Sequence, residues 1–317
     1  AYSDKKEKKE EFGRILAGAK GVGRFSCDRL GVYLDLYTRK RGDEIIHVSI
    51  SWKDFEVENQ KDLQIQQIDV AYEFMSDADF ERKTKYKLLK HGTILEISKL
   101  RTKWAFLEED GKSAWNVNRL LDLRKYLEKL INPNQAFRKD SFEIEIIADE
   151  FLVEDESADR TDKVNGPIEN KIFEKLDFTT TSIESAISKT EDRITTTLKD
   201  KGRTVFRLVE RNSTFTLLKD VKIVVYYLNT YAKIYFKKQT GIRSVNFGSI
   251  FLFVNGFRVN PLGDEGNDWL GLELRKGQGY ARYLGTREVV GRIEINDPEA
   301  NFKIISSREG IVQDDRY

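Results

Sequence analysis

Gly18, Gly21 and Gly23 surround Lys20 and run into Phe25 to Leu30, a stretch whose spacing predicts a short helix that Gly31 can terminate. Glycine lets a backbone approach a phosphate closely. A helix N-terminus offers unpaired N–H groups and the positive end of its dipole to an anion. The chemistry on offer is phosphate binding by the main chain, with Lys20 adding charge. The segment is not a Walker loop, which closes on Gly-Lys-Ser/Thr, and no strand leads into it as in a dinucleotide fingerprint. A loop or tight packing point is the other reading of these glycines, and spacing alone does not choose. Cys27, beside them, is read either as an activated thiol at a helix start or as a plain buried one.

A second set lies in 275–287, where Arg275, Lys276, Arg282 and Arg287 are interleaved with Tyr280 and Tyr283. That pattern can hold phosphates and stack on bases, and it equally fits a subunit contact or a salt-bridged surface. Lys237 and Lys238 are read as surface cations, Trp104 and Trp269 as core or interface aromatics, and His47 as structural. With two histidines and one cysteine in the chain, a zinc site of the usual kind is not expected.

The elements that must position these residues follow from periodicity. Residues 1–12 are charged and nearly free of apolar side chains, so they read as a solvated helix or loop. Strands are predicted at Val32, Leu34, Leu36; at Ile46, Val48, Ile50, Trp52; at Leu63, Ile65, Ile68; and at 93–97. The polar stretch 70–90 has no predicted element. A helix is predicted over 115–131, closed by Asn132-Pro133-Asn134, which marks the predicted domain boundary. Beyond it come a strand at Phe142, Ile144 and Ile146, an acidic loop over 152–166, and helical periodicity at Ile168, Ile172, Phe173 and Leu176. A second helix starts at Thr181, with Glu184 completing a capping box, and continues through Ile187, Ile194 and Leu198. Strands follow at 204–209, 222–228 and 288–295. Asn255-Gly256 between apolar runs predicts a tight hairpin, because both residues tolerate positive φ.

The 317 residues are 39% hydrophobic and 34% charged, a globular composition. No apolar run approaches the ~20 residues that span a bilayer, so no membrane partner is expected. The 54 basic and 53 acidic residues nearly cancel, which leaves no global field toward nucleic acid. The lone cysteine fits a reducing, cytoplasmic setting.

The string Gly18-Ala19-Lys20-Gly21-Val22-Gly23-Arg24-Phe25-Ser26, entered from a charged loop and followed by Leu30-Gly31 and a strand, resembles the phosphate box of the GHKL ATPases. That superfamily holds gyrase-type topoisomerases, the ninety-kilodalton heat-shock chaperone, MutL and histidine kinases. Gly92-Thr93 is similar to the family's late Gly-Thr, whose Thr sits beside the adenine pocket. Residues 248–259 resemble the transducer hairpin of microrchidia (MORC) ATPases and the chaperone, and 285–294 resemble their next strand. Phe302 to Gly310 resembles the chaperone's catalytic loop, in which the Arg of Ser-Arg-Glu, here Arg308, reaches the γ-phosphate. The likeness is strongest to bacterial ATP-binding proteins that carry Asn-Gly-Phe-Arg-Val, then Asp-Trp, then Arg-Lys-x-Gln-Gly-Tyr-x-Arg-Tyr-Leu-Gly-Thr-Arg-Glu, here within 255–288.

The resemblance implies an α+β chain: the ATP lid and back half of a Bergerat-type ATP-binding sandwich over 1–132, and a transducer of the ribosomal-protein-like β-α-β kind over 133–317. It implies ATP and Mg²⁺ as cofactors, a lid at about 1–20, and phosphates held by backbone N–H groups of Gly21, Val22, Gly23, Arg24 and Phe25. Gly18 and Lys20 belong to the same box, Thr93 to the adenine side, and Arg308 to the γ-phosphate. A forked, permanently charged guanidinium suits that last role. ATPase activity, a homodimer in the ATP-bound state, and a bacterial role in DNA handling or phage defence are further expectations of the likeness. The pattern also departs from the family. The upstream helix with its Glu and Mg²⁺-binding Asn, and the Asp-x-Gly-x-Gly that reads adenine, are not in this sequence, so an N-terminal part is expected outside it. The chaperone's Gln four residues after the Arg falls on Val312, with Gln313 one later. A second reading stays open, in which 133–317 is a nucleic-acid or protein docking module beside a regulatory or degenerate ATP site. A chaperone-like clamp for protein clients is a third.

Overall fold

The computed structural model describes residues 10–11, 14–15, 27–55, 70–101, 104–107, 113–130, 143–159, 162–168, 176, 179–190, 192–241, 243–297, 302 and 310. The chain is α+β and divides into two compact units, Lys20–Leu120 and a larger one formed by Leu121–Tyr317 with Ala1–Ala19. Among the described residues no helix is long and apolar enough to cross a membrane.

The smaller unit is built on four antiparallel strands, β1 (Gly31–Arg39), β2 (Ile45–Ser51), β3 (Ala71–Met75) and β4 (Gly92–Leu100), in the order β3-β2-β1-β4. Helix α1 (Asp77–Lys83) starts at Ser76, whose hydroxyl accepts from the Asp79 N–H, and ends at Thr84. Phe80 on α1 packs with Tyr37, Ile45 and Met75 on one face of the sheet, and its ring meets Tyr37 edge-on. Cys27, Leu34 and Trp52 make a second cluster with Ile50, Phe55 and Ile97. β3 and α1 occupy the stretch 70–90, for which the sequence predicts no element. The strand predicted around Leu63 lies outside the described residues. After β4 come a short hairpin, β5 (Ala105–Leu107) and β6 (Ser113–Trp115), and helix α2 (Val117–Leu130), within which the two units divide.

The larger unit includes an antiparallel pair of two-residue strands, Glu10–Glu11 and Arg14–Ile15, and beyond α2 it continues with β7 (Glu145–Ile146), the short helix α3 (Leu152–Ser157) and β8 (Gly166–Pro167). Buried Asp155 organises this corner by accepting from the N–H groups of Val164 (2.8 Å) and Asn165 (2.7 Å). A seven-stranded sheet follows. Its strands are β9 (Thr181–Ile187), β10 (Arg193–Asp200), β11 (Arg203–Arg211), β12 (Val221–Tyr227), β13 (Ile250–Val254), β14 (Phe257–Arg258) and β15 (Val289–Ile295), in the order β11-β10-β9-β12-β15-β13-β14. β13 and β15 are parallel, and the other neighbours are antiparallel. Helices α4 (Thr230–Thr240) and α5 (Ser244–Phe247) join β12 to β13, and α6 (Leu272–Gly277) lies between β14 and β15. Asn229 caps α4 through its side-chain oxygen, and Gly241 ends it in the left-handed region.

Both faces of the central strands are covered. Phe251 and Phe253 belong to a cluster with Tyr226, Phe236, Phe247 and Val290, while Leu252 and Val254 belong to another with Val221, Val259 and Ile295. That is why β13 reads as an unbroken apolar run.

Two predicted helices are corrected. Residues 181–200 form the β9–β10 hairpin, in which Ile183 faces Leu198 and Ile187 faces Ile194. Four-residue spacing also fits a strand face, and the β-branched run Ile194-Thr195-Thr196-Thr197 favours extended backbone. Glu184, read as a capping partner, instead binds Lys222 (2.8 Å) and Lys199 (3.3 Å) across the sheet. The described part of the predicted helix 25–30 is one 3-10 turn, Cys27 to Arg29, and Gly31 opens β1 instead of capping a helix.

Candidate functional site

Of the residues assigned to nucleotide, Gly18, Lys20, Gly21, Val22, Gly23, Arg24, Phe25 and Arg308 lie outside the described residues. The structure does describe where the glycine segment exits. Arg101 at the end of β4 donates through Nε to the Asp28 carbonyl (2.7 Å) and through Nη2 to its carboxylate (2.6 Å), while its N–H donates to the Leu30 carbonyl (2.9 Å). A Cβ at Gly31 would stand 2.6 Å from Ile97 Cγ2 and 2.7 Å from the Ser98 carbonyl oxygen, so glycine is what allows β1 to seat there. Cys27 is buried in the core, the plainer of its two readings.

Thr93 sits at the other end of β4. Its hydroxyl shares a 2.9 Å hydrogen bond with that of Thr38, its register partner on β1. Seven positions separate it from Leu100, the partner of Gly31, roughly 23 Å at the rise of a strand. Thr93 is therefore brought to Thr38 and not to the exit of the glycine segment. Between these ends, on one face of the sheet, His47 lies across three strands: Nε2 meets Asp35 (2.8 Å), Nδ1 meets Glu73 (3.1 Å), and the ring stacks on Tyr37 at 4.5 Å. Hydrogen bonds from His47 and then Lys83 hold the Glu73 carboxyl below its usual range. Burial, followed by the neighbouring Asp35, raises the Tyr37 phenol. This charged row is a structural clasp, consistent with the structural reading of His47.

The larger unit contains a cavity of about 680 Å³ lined by Gly248 and Ser249 before β13, the loop Asp264 to Asp268, the Glu273, Lys276 and Tyr280 side, and Thr286 with Arg287. Its size is that of a small-ligand site. Asp268 caps α6, accepting from the N–H groups of Leu272 (2.8 Å) and Glu273 (2.9 Å). Glu273 accepts from the Thr286 N–H (2.7 Å) and hydroxyl (2.6 Å), and the Thr286 hydroxyl is the main cause that holds its carboxyl low. Lys276 pairs with Glu288 at 2.7 Å, which raises the lysine and lowers the glutamate. Trp269 donates to the Ile250 carbonyl (2.8 Å), a structural role. Arg258, its guanidinium fully buried 4.3 Å above the Phe251 ring, donates to Asp264 at 2.6 Å.

The segment 275–287 therefore differs from a free basic stripe. Lys276 is neutralised, and Arg275 lies 5.2 Å from the Tyr283 ring. Sequence reasoning missed Ser249, Glu265, Asn267 and Glu273 as possible ligand contacts. Gly263-Asp264-Glu265-Gly266 reads as an ordinary turn until the fold closes it over β13.

Among the described residues, no group of three or more His, Cys, Asp or Glu is placed to hold a metal ion. No family model matches the chain, and no curated protein matches it in sequence.

Proposed function

We propose that the chain binds ATP and acts as a nucleotide-driven conformational switch of the GHKL kind. The observation that carries this reading is the order of its parts. A charged segment precedes the glycine box 18–26, an antiparallel sheet opens at Gly31, Gly92-Thr93 starts the neighbouring strand, and Ser307-Arg308-Glu309 comes late in the sequence of the second compact unit. In this reading backbone N–H groups of Gly21 to Phe25 hold the phosphates, aided by Lys20, as helix and loop amides do for anions. Thr93 lies on the base side, and Arg308 stabilises charge on the γ-phosphate. ATP with Mg²⁺ supplies the phosphoryl chemistry. The family's Mg²⁺-binding Asn has no counterpart in this sequence, and no cluster among the described residues replaces it, so no step is drawn through the metal. Dimerisation in the ATP-bound state belongs to the same reading.

Calorimetric titration with a non-hydrolysable ATP analogue tests it. Binding should be submillimolar and lost in Gly23→Glu. Arg308→Ala should keep binding while turnover falls on the order of 10²-fold or more. A chain that ignores the analogue at millimolar concentration, or binds it equally with Glu at position 23, removes the reading.

A docking module is the second reading, favoured by the cavity of the larger unit. With Lys276 held by Glu288 and Arg275 over Tyr283, nucleic acid has less free charge to grip there than the sequence suggests. A mobility shift at two salt concentrations, with Arg282 and Arg287 neutralised, measures what remains.

A further inference from the structure

β11 (Arg203–Arg211) is an outermost strand of the seven-stranded sheet, paired with β10 alone, and all nine of its residues are exposed. Such an edge carries a row of N–H and C=O groups that no neighbour takes, a template on which another chain can pair. The ladder with β10 shifts between Leu198 and Lys199, which leaves Val205 without a partner and makes 206–211 the regular part. The two faces of that part differ. Phe206 stands opposite Leu198, and Leu198 opposite Ile183, so an apolar row crosses three strands and stops at the edge. Phe206 and Leu208 on this face are each half-exposed. The other face is basic. Arg207 stands opposite Thr197 and Arg211 opposite Arg193. Glu184, opposite Thr197 on the far side, is held by Lys222 (2.8 Å) and Lys199 (3.3 Å). Among the described residues no carboxylate pairs with Arg207 or Arg211.

We infer that β11 is a docking edge, which takes an extended segment of a partner protein as a further strand, and that this segment alternates acidic with apolar side chains. Directly opposite residues of paired strands point to the same face. An added strand therefore sets one series of its side chains beside Arg207 and Arg211 and the other beside Phe206 and Leu208. Carboxylates answer the first series, because a guanidinium fork pairs with them in a fixed plane. Branched apolar side chains answer the second and extend the row that starts at Ile183. Main-chain hydrogen bonds supply the affinity of such an addition, and alternate side chains supply its selectivity. A second copy of this chain fits less well. β11 paired with itself about Arg207 sets Arg207 against Arg207 and Arg203 against Arg211. Nucleic acid answers the arginines but leaves the edge hydrogen bonds and Phe206 unused. The edge shares no residue with the cavity lining, and its test needs no nucleotide.

Fluorescence anisotropy on the whole chain tests this with a labelled, capped peptide of alternating Glu and Val. It should bind with submillimolar affinity. The same peptide N-methylated at every residue keeps its charges but loses every main-chain donor, and it should not bind. Arg207→Ser should weaken the first peptide about tenfold, the weight of one charge-assisted hydrogen bond. Arg207→Glu combined with Arg211→Glu should lose it and take a peptide of alternating Lys and Val instead. Both arginines are exposed and make no described ion pair, so these variants keep the fold, which a urea midpoint verifies. A short DNA duplex and sedimentation velocity of the chain alone read the other two occupants. The inference is overturned if the Glu and Val peptide does not bind, if its N-methylated form binds as well, or if the arginine variants leave the affinity unchanged. It is overturned equally if the duplex displaces the peptide, or if the chain forms a dimer that Arg207→Glu dissolves.

Discussion

Phe253 and Phe74 are both phenylalanines on β-strands, yet one is 1% exposed and the other 64%. Phe253 lies on β13, a strand next to β14 and β15 in the larger unit, with a hydrophobic cluster on each face of its sheet. Phe74 lies on β3, the edge of the smaller unit's sheet. It shares a face with Tyr72, whose ring it meets at 6.2 Å, while Met75 points to the opposite, covered face. An aromatic in a strand reports burial only where a partner layer exists. β13 has two such layers and lost its alternation, whereas β3 has one and kept its outward residues apolar all the same.

The sharpest way to break this comparison is to truncate both rings. Phe253→Ala should destabilise the larger unit by about 3–5 kcal/mol, the usual range for a buried aromatic. Phe74→Ala should change stability by no more than about 0.5 kcal/mol. Urea midpoints read both, and a large loss at Phe74 would mean that its face is covered.

Glycines extend the contrast to the backbone. A Cβ at Gly291 on β15 would stand 2.4 Å from the Val224 carbonyl oxygen of the neighbouring strand, and one at Gly31 would meet Ile97 and the Ser98 carbonyl. Gly291→Ala and Gly31→Ala should each cost about 1–3 kcal/mol through strand displacement. The Gly291 change should report in the larger unit and the Gly31 change in Trp52 fluorescence of the smaller one. A neutral result at either position would show that the ladder yields there.

The smallest effect is electrostatic. Glu73 is held below its ordinary value of 4.5, first by the His47 hydrogen bond and then by Lys83. A carboxyl depressed in the folded state contributes stability that is complete above its unfolded value and is lost as pH falls through the folded one. The midpoint of the smaller unit should drop as pH falls from about 5 toward 3, and Glu73→Gln should flatten part of that drop. The larger unit also carries carboxyls held low, Glu273 and Glu288 among them, so the difference that Glu73→Gln makes, and not the slope of either unit alone, isolates the clasp. An unchanged slope would show that the clasp does not contribute.

Much of this architecture is legible along the chain. The strands at Val32–Leu36 and Ile46–Ile50 and the helix over 117–130 follow from periodicity, although the strands bury residues on both faces, Leu34 beside Trp52 and Tyr37 beside Phe80. The reading failed at 181–200, where Ile183, Ile187, Ile194 and Leu198 satisfy both a helical and a strand period. Pairing of β9 with β12 decided the matter. It also failed over 70–90, where β3 is only five residues long and its aromatics, Tyr72 and Phe74, sit on the exposed face while the other face carries Glu73 beside Met75. For the candidate site, the sequence names the phosphate box, Thr93 and Arg308 through resemblance, and the described structure adds the pairing of Thr93 with Thr38 and the Arg101 anchor of the box exit. The cavity had no sequence signal, because its polar residues sit in turns that look ordinary one at a time.

What the sequence by itself determined is local. Asn255-Gly256 must turn where it does, since both residues take positive φ (52° and 83°) at little cost, and Asn255 then ties the turn to Asp297. What only the tertiary structure decided is convergence. Ser249, Glu265, Asn267, Glu273 and Arg287 are spread over nearly forty positions and face one cavity only after β13 lies parallel to β15. Turn chemistry acts through neighbouring dihedrals, so it is written in adjacent residues. A binding cavity is set by which distant strands share hydrogen bonds, and no local spacing encodes that.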